Sequence, residues 1–206
     1  MNPEKAFIKK ISKVKQEMSV SCKSKLKELR KDSFDEKDRF KELCFCILVA
    51  GSNLEQTKKA WQENKENFLT LKKEDLKKKL KESGCRFNQR AEYIVEARKS
   101  IKGIDFSKDS SALRESLVQN IKGLGMKEAS HFLRNIGYRN FAILDTHVLK
   151  TLKKNGLINE VPKTLTKKKY LEIEKVLERV SKTLKISQAE LDVYLFYLDS
   201  KRIPDK

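Results

Sequence analysis

The chain has 206 residues, 38% of them hydrophobic and 37% charged, and its formal net charge at pH 7 is +18. That length can form one domain or two small ones with a shared core, and the positive excess favours a polyanionic partner, either nucleic acid or an anionic membrane surface. The best apolar run, residues 43–50, falls well short of the roughly 18 residues that a spanning helix needs, and the lysine-bearing N-terminus lacks the apolar segment of a secretory signal, so the expectation is a cytoplasmic protein with no membrane association.

Apolar residues recur at helical spacing and no alternating strand pattern stands out. Phe7, Ile8, Ile11, Val14 and Met18 form one stripe, which Leu26 and Leu29 extend after a break. Ser33-Phe34-Asp35-Glu36 reads as a capping box opening a helix that runs to Val49. From Leu43 that helix is apolar nearly all round, which predicts a central position. Further helices are expected over 54–67, 74–82, 89–99, 111–121, 127–136, 146–155, 167–184 and 188–200. Gly51, Gly84, Gly103, Gly137 and Gly156 fall where helices should stop. Cys22, Cys44, Cys46 and Cys85 form neither a CxxC pair nor a metal-ligand spacing, so they are expected as free, mostly buried thiols and no metal is expected.

Gly123 and Gly125 lie close together between two helices and need another explanation. Glycine permits positive φ and removes the Cβ that would block a phosphate. The helix that follows begins with unpaired N–H groups and a partial positive charge, so a DNA backbone phosphate can bind there without any base being read. Lys122 would add sequence-independent attraction. The alternative is an ordinary turn between helices, anchored by Ile121 and Leu124.

Lys127 stands in the first turn of that second helix. Its two readings are a phosphate-contacting surface lysine and an amine that attacks an electrophilic sugar carbon to form a Schiff base. Asp145 follows the apolar run Phe141-Ala142-Ile143-Leu144 and precedes Thr146-His147-Val148-Leu149. It can cap the helix beginning there, act in catalysis, or do both, because a capping carboxylate keeps a second oxygen. His131, four residues after Lys127, shares its helix face; it is either a packed histidine or a group that reaches the same site.

These residues resemble the helix-hairpin-helix superfamily of DNA glycosylases, and most closely its second class of 8-oxoguanine DNA glycosylase/AP lyases. Three blocks carry the resemblance: Glu42-Leu43-Cys44-Phe45-Cys46-Ile47-Leu48; Arg86-Phe87 with Arg90-Ala91-Glu92-Tyr93-Ile94-Val95; and Lys122-Gly123-Leu124-Gly125 with Lys127-Glu128-Ala129-Ser130-His131-Phe132-Leu133-Arg134-Asn135. Lys169-Tyr170-Leu171-Glu172-Ile173-Glu174 also fits. The resemblance implies an all-α fold of two helical subdomains with DNA between them. One would span 31–139, and the other would join 1–30 to 140–206. It implies Lys127 as the Schiff-base lysine, Asp145 as the catalytic aspartate, Phe87 and Phe196 flanking an everted base, Lys206 at the base pocket, and Asn53 filling the hole left in the duplex. Thr146 and Phe196 depart from the arginine and tryptophan common among relatives.

The activity so implied is excision of 8-oxoguanine from double-stranded DNA and strand cleavage by β-elimination, by a monomer needing no cofactor. The damaged nucleotide must leave the stack first, where phenyl faces could hold the purine. 8-Oxoguanine carries a donor at N7 where guanine has an acceptor, so a backbone carbonyl or the Lys206 carboxylate could discriminate. The alternatives are a non-enzymatic hairpin module that only grips DNA and a related glycosylase for oxidised pyrimidines or mismatched adenine.

Overall fold

Helix is the only regular structure that the computed structural model contains across the residues it describes, 2–28, 34–107 and 110–200. In chain order these are α1 (Pro3–Glu28), α2 (Glu36–Val49), α3 (Leu54–Asn64), α4 (Asn67–Thr70), α5 (Lys73–Glu82), α6 (Gln89–Ser100), α7 (Ser110–Asn120), α8 (Met126–Asn135), α9 (Thr146–Lys154), α10 (Lys167–Leu184) and α11 (Gln188–Ser200), with a 3-10 turn at Ile101–Gly103 after α6. The all-α expectation therefore holds. The chain divides into two compact units, Asp32–Phe132 and Met1–Lys31 joined by Leu133–Lys206, with the division falling inside α8.

The first unit is organised by α2. Asp35 caps it, its side chain accepting from the Asp38 amide, and every residue from Leu43 to Val49 is buried. Asp35 is thus a capping residue within the 33–36 pattern; Ser33 lies outside the described residues. Helices α3, α4 and α6 pack against α2. Phe45 meets the Trp61 ring edge-on at 6.0 Å, and the indole N–H of Trp61 donates to the Lys41 carbonyl at 2.8 Å. The single helix expected over 54–67 ends at Asn64 instead. Asn64 is buried, and its amide donates to the Ala60 carbonyl and to Ser83 Oγ, so the chain turns there and re-enters as the short α4 with Phe68 buried. Arg98 takes the Phe68 carbonyl at 2.6 Å.

In the second unit α1 packs on α10 and α11. Its stripe Phe7, Ile11, Val14, Met18, Cys22 and Leu26 is buried, and the helix runs unbroken through the position where a break was expected. Cys22 sits against Tyr194, and burial pushes its thiol up to about 11. Leu29 lies outside the described residues. Cys44 and Cys46 are buried as well, and Cys85 is half-buried; none of the four cysteines is in a disulfide. Among the described residues no helix is long and apolar enough to cross a membrane.

Candidate active site and nucleic-acid interface

The hairpin is built by two glycines with different jobs. Ile121 and Leu124 are buried, and the Leu124 amide donates back to the Ile121 carbonyl at 3.3 Å, closing the turn. Gly123 has φ +84°, and a Cβ there would lie 2.6 Å from Tyr93 Cδ2 on α6. Both the dihedral and the neighbouring ring demand glycine. Gly125 starts α8: its carbonyl accepts from the Ala129 amide at 2.9 Å, and its N–H donates to Glu128 Oε2 at 3.3 Å. This is one half of a capping box. The other half needs a side-chain oxygen on the capping residue, which glycine lacks, so the first-turn amides of α8 keep their capacity for an external acceptor.

Lys127 occupies that first turn with its side chain 24% exposed, and its Nζ lies 3.4 Å from Glu128 Oε1. Lys122, on the turn itself, is 65% exposed and lies 3.0 Å from Glu96 Oε2 on α6. The Glu96 carboxylate, hydrogen-bonded to this ammonium, holds it above the usual lysine range. His131, on the same helix, is buried and packs edge-on to Phe45 at 5.9 Å.

Asn53 and Phe87 come together in the same unit, where they line one surface depression of about 700 Å³ with Gly51, Cys85 and Arg86. Asn53 is the N-cap of α3, its side chain accepting from the Gln56 amide at 3.2 Å. Phe87 is 46% exposed, with the Arg90 guanidinium 5.0 Å from its ring centroid. Arg90 in turn donates to the Ala50 carbonyl at the end of α2, so one buried side chain ties the Phe87 segment to the segment carrying Asn53.

Asp145 belongs to the other unit and caps α9: Oδ1 accepts from the Val148 amide at 2.8 Å. The approach to it, Phe141 to Leu144, is buried without regular structure, and its polar groups are met by α10. The Ala142 amide donates to Glu174 Oε1 at 3.1 Å, the Tyr170 hydroxyl donates to the Ala142 carbonyl at 2.6 Å, and that same hydroxyl accepts from the Leu144 amide at 3.3 Å. Asp192 on α11 pairs with Arg134, and Arg134 also donates to Asn135 Oδ1 at 2.8 Å. Burial pushes the Asp192 carboxyl up, Arg134 opposes the rise, and the charge of Asp145 adds to it. Phe196 lies on α11 and is 37% exposed. Among the described residues it and Phe87 are the exposed phenylalanines, so neither ring is buried in a core. Lys206 lies outside the described residues.

Several residues around these sites have roles that the sequence did not assign. Glu128 carried a signal, since it stands three positions after Gly125 where a capping box puts its acid. Tyr93, Glu96 and Arg90 sit at three-residue spacing on α6, and nothing in that spacing says they meet the hairpin and the Phe87 segment. Tyr170, Glu174 and Asp192 are remote in sequence from the segments they hold. His147, two residues after Asp145, is exposed and lies 2.9 Å from Asp199 Oδ2.

Comparison with known proteins bears on the whole chain. Residues 22–186 match the helix-hairpin-helix family model described as 8-oxoguanine DNA glycosylase. A protein of Methanocaldococcus jannaschii named 8-oxoguanine DNA glycosylase/AP lyase is 46% identical over 205 residues, covering 96% of this chain and 98% of its own length. One of the same name from Thermotoga maritima is 40% identical over 93% of this chain and 95% of its own. The crystal structure of the Methanocaldococcus jannaschii 8-oxoguanine glycosylase/lyase in complex with a 15mer DNA containing 8-oxoguanine superposes with a TM-score of 0.91 at 43% identity, covering 97% of this chain and all of that one. On these grounds the chain belongs to the 8-oxoguanine DNA glycosylase family with the helix-hairpin-helix motif.

Proposed function

We propose that this chain removes 8-oxoguanine from double-stranded DNA and then cleaves the strand at the resulting site, with Lys127 as nucleophile and Asp145 as its electrostatic partner. The hairpin carries the reading: Gly123, at positive φ against Tyr93, and Gly125, which leaves α8 half capped, precede a lysine in the first helical turn. The family adds weight, since relatives at 40–46% identity bear the name of this activity.

The reaction follows from the chemistry of an amine. A backbone phosphate accepts from the hairpin amides, and Lys122 adds its charge. The lesion leaves the stack, and the exposed rings of Phe87 and Phe196 offer it apolar faces. Asn53 fills the space vacated in the duplex. As the bond from C1′ to the base breaks, the sugar gains oxocarbenium character, which Asp145 stabilises through the oxygen not used for capping. Lys127 Nζ bonds to C1′, the base departs with the bonding pair and a proton, and the sugar ring opens to an imine. Loss of a C2′ proton then expels the 3′ phosphate, and water hydrolyses the imine to free the lysine. The protein acts as a monomer, in the cytoplasm.

Borohydride decides the matter. With an 8-oxoguanine duplex the wild type should form a covalent adduct at Lys127, and Lys127→Gln should form none while duplex affinity stays within several-fold. Wild-type binding without any adduct would leave a DNA-gripping module and end the catalytic reading. A panel of oxidised pyrimidines and mismatched adenine should be cut poorly beside 8-oxoguanine.

A further inference from the structure

Glu128 has one oxygen on each side of the proposed reaction. Oε2 accepts from the Gly125 N–H at 3.3 Å, and Oε1 lies 3.4 Å from Lys127 Nζ. The carboxylate therefore bridges the amide that begins the anion-binding end of α8 and the amine that begins the chemistry. Its side chain is only 15% exposed and that of Lys127 24%, so solvent screens the pair less than it screens the open Lys122–Glu96 pair. The glycine at 125 is part of the arrangement: a Cβ there would meet Glu128 Oε2 at 3.2 Å.

The half of a capping box that Glu128 forms needs only the contact to Gly125. The second contact is what a cap does not explain. An acidic group at a helix N-terminus occupies the same field that would receive a phosphate. When a phosphate takes the Gly125 N–H, Glu128 loses its hydrogen-bond donor and gains a like-charged neighbour. Both effects push it away from the hairpin, and its hold on Lys127 goes with it.

We propose that Glu128 is a positioning residue that keeps Lys127 paired in the DNA-free protein and gives it up when a backbone phosphate occupies the hairpin. The amine is thus restrained until DNA is seated, which keeps it from stray aldehydes. This proposal rests on the reading of the hairpin as a phosphate site and of Lys127 as nucleophile.

The test is reductive methylation with formaldehyde and borohydride, read at Lys127 by peptide mass spectrometry and normalised to the remaining lysines. In wild type without DNA, inorganic phosphate should raise Lys127 labelling above that in chloride of matched ionic strength. Glu128→Gln keeps an oxygen for the Gly125 N–H, so its melting temperature should match the wild type. Its Lys127 should be labelled about two- to fivefold faster, the change that an ion pair of this exposure supports, and phosphate should no longer alter it. Equal labelling in wild type and Glu128→Gln, or a wild type indifferent to phosphate, would overturn the proposal. The phosphate arm needs no variant, so a poorly folded Glu128→Gln leaves the test decisive. Absence of a borohydride adduct between wild type and lesion duplex would instead remove the catalytic reading, while the labelling arms still report whether Glu128 holds the amine.

Discussion

Gly123→Ala tests the hairpin at its tightest point, because two independent penalties converge on one methyl group. A non-glycine residue held at φ +84° loses roughly 1–2 kcal/mol to left-handed backbone strain. The added Cβ also arrives 2.6 Å from the Tyr93 ring, and forcing a methyl into a packed contact costs about 1–3 kcal/mol. Together they predict about 3 kcal/mol of destabilisation. Tyr93→Ala removes the ring, so in that background Gly123→Ala should lose only the backbone share, about 1–2 kcal/mol. Urea denaturation can be followed by fluorescence of Trp61, the single tryptophan, which lies in the same unit as the hairpin. An equal cost for Gly123→Ala with and without Tyr93, or a neutral effect in the wild-type background, would refute the clash with the ring. Duplex affinity should fall with stability in the single variant and recover in part in the double.

Asp145→Asn keeps a side-chain oxygen for the Val148 amide but removes the charge, so base release should slow by about a hundredfold or more at unchanged melting temperature; single-turnover excision measures it, and equal loss of binding would leave only a structural cap. Lys122→Ala should reduce the slope of log affinity against log salt by about 1, measured by fluorescence anisotropy on undamaged duplex, and an unchanged slope would remove Lys122 from the phosphate contacts. Asp192 gives a signed pH effect. Its folded-state carboxyl is raised above 3.8, so the folded protein binds the proton more tightly than the unfolded chain does. The stability this group adds is fully present at low pH and is lost as pH rises from 3.8 through the higher folded value. Urea midpoints from pH 3 upward should therefore fall for wild type relative to Asp192→Asn, and parallel curves would contradict the assignment.

Much of the fold was legible because amphipathic periodicity is a local property. The helix expected over 167–184 and the one over 188–200 stand at those bounds; the first has a polar start and a continuous apolar face, and the second is apolar nearly all round between polar ends. The hairpin was legible for a related reason: paired glycines at a helix junction leave few alternatives. What stayed hidden depends on tertiary partners. The break after Asn64 arises from a hydrogen bond to Ser83, and the continuity of α1 arises from burial against α10 and α11. Periodicity marks Phe68, Phe87 and Phe196 alike as apolar, yet the first is fully buried and the other two are exposed. The bridging role of Glu128 was hidden differently. Its spacing predicts a capping contact, but only side-chain geometry reveals that the second oxygen reaches the adjacent lysine.

The irregular run before Asp145 obtains its rigidity by proxy. Its amides and carbonyl are met by Tyr170 and Glu174, side chains of a distant helix, in place of the backbone ladder a strand would provide. A phenol hydroxyl serving two main-chain groups is an all-or-nothing clasp: losing that one atom would release both together. The steadiness of the carboxylate at 145 is therefore inherited from residue 170, and substitutions on α10 that never approach DNA can still blur the geometry on which the chemistry depends.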